Sequence, residues 1–158
     1  MIDPNASQFA EPGNFSEKIR EFARQTDQPE PETVGDLVRC CLDSLALCYR
    51  HTTDMLESVL DMKVEVLHIV GGGTKNELLN EITAATMNRP VITGPVEATA
   101  IGNVLIQAMG CGDLSGASEI RQVVANSFES TTLTPDDLDE ALVVKDEVFE
   151  LYQRLVGN

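Results

Sequence analysis

The stretch from Val64 to Val70, "VEVLHIV", is apolar at both alternating sets of positions, ends in three consecutive glycines, and passes at once into the amphipathic pattern "TKNELLNEITA". A strand apolar on both faces is characteristic of a central strand in a parallel sheet, covered by helices on each side. The chain is therefore expected to be α/β, with Leu78, Leu79 and Ile82 marking the helix that follows the glycines. "PVITG" at 90–94 supplies a second, very short strand, and "PVEATAIGNVLIQAMGCG" a third helical pattern opened by Pro95 and Glu97. Only two strands are evident, although a two-stranded sheet is marginal by itself and an apolar strand needs neighbours at both edges. Two explanations stay open. Either the chain is a piece of a larger protein, or a second copy supplies the partners as a homodimer through exposed sheet edges.

The 158 residues suffice for one domain with a sizeable core. Residues 1–33 are expected to form an irregular N-terminal segment with one short helix, "FSEKIREFARQT", closed by the proline-rich "DQPEPET". Thr33 followed by Asp36 resembles a capping box, and it opens a long helix whose stripe is Leu37, Cys41, Leu45, Cys48, Thr52, Leu56 and Leu60. Two further helices are expected, "SGASEIRQVVANSF" and "TPDDLDEALVVKDEVFELYQRLV", the second capped by Thr134 with Pro135 at its first position.

Eleven basic against 26 acidic side chains give a net charge of −15, which argues against nucleic acid or an anionic membrane as partner. No apolar run approaches membrane-spanning length, and the N-terminus lacks the order of a signal peptide, so a cytoplasmic location is expected. Cys40, Cys41, Cys48 and Cys111 show no paired spacing and are expected to be buried reduced thiols. His51 and His68 have no ligand at metal-binding spacing. The acidic run Asp136, Asp137, Asp139 and Glu140 fits a solvated helix start, and Ser44 lies on no nucleophile elbow. No catalytic or metal-ligating residue is assigned.

The strand, triple glycine and helix make a close-approach site. Glycine tolerates positive φ and carries no Cβ to hold a ligand away, while N–H groups at the start of a helix favour an anion. Gly71, Gly72, Gly73, Lys75 and Asn76 are the candidate binding residues, Asn76 as donor and acceptor, Lys75 as neutralising charge. The spacing matches neither the dinucleotide fingerprint nor a Walker loop, and a tight turn that merely lets helix and sheet pack closely is the structural alternative.

"LHIVGGGTKNELLNEITAATMNRPVITGPVEATAIGNVLIQAMGCG" resembles the C-terminal domain of the FGGY carbohydrate kinases, most of all their rhamnulokinase branch. "MIDPNASQFAEPGNF" and "TDQPEPETVGDLVRCCLDSLALCYR" are similar to further segments of that family, so the likeness extends over most of residues 1–130. The resemblance implies an actin-like ATPase lobe with a ribonuclease H-like core, helices around a small, mostly parallel sheet, here with strands missing. It implies ATP/ADP with Mg2+ at the glycine turn, Gly72 and Asn76 falling on positions that contact nucleotide. The implied reaction is phosphorylation of L-rhamnulose to L-rhamnulose 1-phosphate in L-rhamnose catabolism, with the sugar bound only in the complete enzyme. The family's catalytic aspartate and sugar-binding residues lie in a lobe absent from this sequence, so the chain alone is expected to be inactive. Ala85 stands where the family usually shows aspartate, and Ala23 where some relatives carry a cysteine able to pair with the position of Cys40. The competing readings are a stand-alone nucleotide-binding or dimerising module, and the same lobe of a kinase for xylulose, fuculose or glycerol.

Overall fold

The computed structural model describes residues 1–157. Its elements, in chain order, are α1 (Ser7–Ala10), α2 (Phe15–Gln25), α3 (Val34–Leu60), β1 (Leu67–Ile69), α4 (Glu77–Met87), β2 (Val91–Thr93), α5 (Ala98–Cys111), α6 (Ala117–Ser127), β3 (Thr131–Leu133) and α7 (Asp146–Val156). Short 3-10 turns occupy Gly71–Lys75, Pro135–Asp137 and Glu140–Leu142.

The long helix forms as its sequence dictates. Thr33 Oγ1 accepts from the Asp36 N–H at 3.1 Å while Asp36 accepts from the Thr33 N–H at 2.8 Å, closing the capping box. The backbone N–H of Thr33, and after it the Thr33 hydroxyl, hold the Asp36 carboxyl below its usual range. The buried face is not the expected stripe. Leu37 is buried, but so are Leu42, Ser44, Ala46, Leu47, Thr53 and Glu57, whereas Leu56 and Leu60 are half exposed. The reason is that α3 is covered on two sides. Leu37 joins Ile2 and Ile19 in a small cluster, while Leu42, Ala46 and Leu47 meet Leu79 and Ile82 of α4 and Phe149 and Tyr152 of α7 in the main core.

The sheet has three strands in the order β1-β2-β3 among the described residues. β1 pairs parallel with β2 (Leu67↔Val91, Ile69↔Thr93), and β2 pairs antiparallel with β3 (Val91↔Leu133, Thr93↔Thr131). The sheet is thus mixed rather than mostly parallel, and β1 lies at its edge, with β2 in the centre. The strands are also shorter than the apolar run. Pro90 and Pro95 bracket β2 and offer no N–H to extend the ladder. The Val64 N–H, ahead of β1, donates to Glu57 Oε1 of α3 at 2.7 Å instead of to a neighbouring strand.

The last expected helix is broken. Residues between Thr134 and Lys145 form the two 3-10 turns and extended chain, and only Asp146–Val156 is α-helical. Thr134 makes no side-chain cap, although Pro135 does open the first turn. Arg39 Nη2 donates to Ala141 O at 3.2 Å and the Val144 N–H to Thr86 Oγ1 at 3.2 Å, so contacts with α3 and α4 hold this chain extended against its helical pattern. The cysteines are free thiols, but Cys40, Cys41 and Cys48 are only half-buried and Cys111 is exposed. Three of them sit on the flanks of α3, whose covered positions are taken by residues such as Leu42, Ala46 and Leu47.

Candidate functional site

β1 and β2 run parallel, so their carboxyl ends deliver two loops to the same edge of the sheet, where ligands of open α/β sheets bind. The first loop is Gly71–Lys75 and the second is the Gly94–Glu97 turn before α5. They are stitched together: the Gly94 N–H donates to Ile69 O and the Gly71 N–H to Pro95 O, both at 3.0 Å.

Within the first loop the three glycines have different reasons to be there. Gly71 sits at φ +78°, a left-handed conformation that disfavours any side chain. Gly72 has no such constraint, and a Cβ built on it meets no atom within 4 Å. Its backbone is exposed and faces open space. Gly73 would bring a Cβ to an ordinary 3.6 Å from Ile69 Cγ2. Gly71 therefore makes the turn, and Gly72 leaves room above it.

The helix begins later than its pattern implies. A 3-10 turn takes residues 71–75, and Asn76 is the N-cap of α4 rather than a first-turn residue, its Oδ1 accepting from the Leu79 N–H at 3.2 Å. That bond satisfies one of the helix's free donors and orients the amide. The Nδ2 group of Asn76 has no partner among the described residues, and so remains a donor at the rim. Lys75 is exposed at the end of the 3-10 turn, one residue before the cap. In a chain of net charge −15 this cation and the two helix starts are the local features that favour an anion.

Several residues brace the loop that spacing alone did not single out. Thr74 Oγ1 donates to Gly71 O at 2.8 Å, and Asn80, buried on α4, donates through Nδ2 to Thr74 O at 3.1 Å. Asn80 belongs to the "NELLN" run, and a polar residue on the inner face of an otherwise apolar helix was the available signal. Gly94, at φ +116°, lies with its missing Cβ 2.9 Å from Glu129 O, so only glycine fits where the second loop passes the chain entering β3. Between α4 and the β2–β3 pair, Thr74, Glu77, Asn80, Glu81 and Thr131 line a polar cavity of about 280 Å3 beside the loop.

Other candidates fall elsewhere. His68 is exposed on β1, and His51 packs edge-on to Tyr152 with ring centroids 6.1 Å apart. Burial, and then contact with Cys48, pushes the Tyr152 hydroxyl well above its usual range. Asp139 caps the Ala141 N–H at 2.9 Å in the second of the two late turns. Ala85 and Ala23 are both buried and contribute packing methyls.

Fold and loop geometry together define an α/β lobe with two glycine-bearing loops at one end of a small mixed sheet, a lobe similar to that of sugar kinases of the actin-like ATPase fold. The C-terminal domain of the FGGY family of carbohydrate kinases matches residues 1–111, and the chain belongs to that family. Among curated proteins it is similar to the rhamnulokinase of Bacteroides thetaiotaomicron, 44% identical over 138 residues, which cover 87% of this chain and 28% of that protein. The rhamnulokinase of Bacillus subtilis is 38% identical over 145 residues, 92% of this chain and 30% of that protein. Among solved structures, the xylulose kinase from Rhodospirillum rubrum superimposes with a TM-score of 0.55 at 26% identity, over 80% of this chain and 24% of that one. The chain thus spans under a third of the length of the relatives it matches. Among the described residues no helix is long and apolar enough to cross a membrane.

Proposed function

We propose that the chain is the C-terminal, nucleotide-facing part of a rhamnulokinase, contributing to ATP-dependent phosphorylation of L-rhamnulose to L-rhamnulose 1-phosphate in L-rhamnose catabolism in the cytoplasm. The observation that carries this reading is the open space over Gly72, in one of two loops at the carboxyl ends of parallel strands. The rhamnulokinase relatives support the choice within the family.

In this reading the backbone of Gly71, Gly72 and Gly73 lies against ATP or ADP, and the Nδ2 of Asn76 donates to it. Lys75 offsets the charge of the phosphates. Mg2+ arrives with the nucleotide, and no side chain of this lobe is assigned to it. Phosphoryl transfer depends on base, metal and closing loops acting together, so this lobe binds and orients nucleotide without catalysing transfer alone. L-rhamnulose is bound only in the complete enzyme.

Titration calorimetry with Mg-ADP tests the site. The wild-type chain and Asp139→Asn, remote from the loop, are expected to bind alike, and Gly72→Val to bind roughly tenfold or more weakly. Equal binding by Gly72→Val, or no heat with the wild type at millimolar ADP, would overturn the assignment.

A further inference from the structure

The polar cavity beside the glycine loop joins three parts of the fold: Thr74 of the loop, Glu77, Asn80 and Glu81 of α4, and the paired Thr93 and Thr131 of β2 and β3. The polar side-chain atoms of these residues are all oxygens apart from Asn80 Nδ2, and that nitrogen is engaged with Thr74 O at 3.1 Å. Asn80 is 1% exposed, and its Oδ1 is one of two buried side-chain polar atoms without a hydrogen-bond partner among the described residues. A buried acceptor facing neither a donor nor a cation is costly, and native folds rarely keep one. The acids are uncompensated as well. Glu77 and Glu81 lie one turn apart on α4, where like charges repel, and neither makes an ion pair among the described residues. The helix dipole accounts for Glu77 in the first turn, but Glu81 is a turn too far along for it.

We propose that this cavity binds a hard divalent cation, Mg2+ or Ca2+, held by the carboxylates of Glu77 and Glu81 and by Asn80 Oδ1, with water completing its shell. Oxygen donors that include two carboxylates select such an ion over zinc or copper, which favour nitrogen and sulfur, and over K+ or Na+, which leaves one charge unmatched. At about 280 Å3 the cavity has room for the ion and several waters, each of about 30 Å3. No group of three or more acids, histidines or cysteines able to hold a metal comes together among the described residues, so the site is a weak one, with a Kd of roughly 0.1–1 mM. The ion ties α4 to the β2–β3 pair and holds Asn80 in the position that donates to Thr74 O. Its ligands all come from this chain, and it needs no nucleotide.

The test follows thermal unfolding of the chain without nucleotide while MgCl2 or CaCl2 is raised to about 20 mM, with KCl holding the ionic strength constant. The wild-type midpoint is expected to rise and then to follow a single apparent Kd. Glu77→Gln and Glu81→Gln each remove one carboxylate that makes no ion pair, and each should weaken that Kd about tenfold. Glu11→Gln changes the net charge equally from an exposed position on the N-terminal segment and should leave it within about twofold. Thr131→Asp adds a third carboxylate at the exposed rim and is expected to tighten binding about tenfold, a gain that a purely structural role of the two acids would not produce. No rise, or a rise that shows no single Kd, overturns the inference and leaves water as the partner of Asn80. Equal weakening by Glu11→Gln and Glu81→Gln overturns it too, because the cation is then held only by diffuse charge. So does a Thr131→Asp variant that binds no more tightly than the wild type.

Discussion

Glu57 and Arg89, 32 residues apart, form a two-pronged ion pair, Nη1 to Oε1 at 2.6 Å and Nη2 to Oε2 at 3.3 Å. The same carboxylate accepts from Lys63 Nζ and from the Val64 N–H, each at 2.7 Å. One buried acid near the end of α3 thus fixes both the chain entering β1 and the link from α4 to β2, the two strands whose ends carry the glycine loops. Glu57 replaces an expected apolar contact at this point of the helix, where Leu56 turns outward.

The Glu57 node makes stability depend on pH in a defined window. Lys63, the Val64 N–H and Arg89 lower its carboxyl from 4.5 to about 2 in the folded chain. The unfolded state then takes up a proton first as pH falls, so the contribution is complete above about 4.5 and is lost as pH approaches 2. Glu57→Gln is expected to melt below the wild type at pH 7, with the gap narrowing between those limits as the wild-type acid is protonated. Thermal unfolding across pH 7 to 2 checks this, and a gap independent of pH would show that the ion pair is not its source.

Substituting the loop glycines should separate turn from space. Gly71→Ala forces a side chain into a left-handed conformation, at a cost of roughly 1–2 kcal/mol. Gly94→Ala adds a backbone clash to the same kind of strain, because its Cβ would lie 2.9 Å from Glu129 O, and is expected to be the more damaging. Gly72→Ala meets nothing and should fall within about 0.5 kcal/mol of wild type. Urea midpoints give the order directly. A Gly72→Ala variant as unstable as Gly71→Ala would mean that the space over Gly72 is filled in solution.

What the sequence made legible was local: the capping box at Thr33, the helix after the glycines, and the turn itself. Side-chain chemistry within a few residues decides each of these. The errors are tertiary. The apolar pattern of 64–70 signalled a strand covered on both sides, but only Leu67–Ile69 is a strand, it stands at an edge with His68 and Val70 exposed, and its place in the sheet depends on partners that the pattern cannot name. The helical periodicity after Thr134 was overridden by Arg39 and Thr86, which seize backbone groups of a segment far away in sequence. Strand β3 carries only three residues, "TTL", too few for alternation to register. At the site, glycine content pointed to the loop, while the bracing by Asn80 required knowing which face of α4 is buried.

Capping at Thr33 offers a measurement on α3. Thr33→Ala removes the acceptor for the Asp36 N–H and leaves the Asp36 carboxylate bonded to the Thr33 backbone, so half of the box survives. The expected loss is about 1 kcal/mol, and Thr33→Ser should restore most of it. Chemical denaturation of the three forms tests this, and an equal loss for the serine variant would place the effect in the methyl group instead.

Ser44 supplies the last prediction. It is fully buried in mid-helix, where its Oγ accepts from the Ile2 N–H at 2.8 Å and donates to Cys40 O at 2.6 Å. The bond reaches across 42 residues and seats the N-terminal segment, whose Ile2 packs with Ile19 and Leu37. Ser44→Ala leaves the Ile2 N–H buried without its acceptor, a loss of about 1–3 kcal/mol. The loss should be local as well as global, because residues 1–15 have few other anchors to α3. Limited proteolysis at the Glu11–Asn14 connection is expected to accelerate in Ser44→Ala before far-ultraviolet ellipticity changes. Ser44→Thr, which keeps the hydroxyl, should be cleaved more slowly than the alanine variant. Cleavage of Ser44→Ala at the wild-type rate would show that apolar packing around Ile2, and not this hydrogen bond, holds the segment in place.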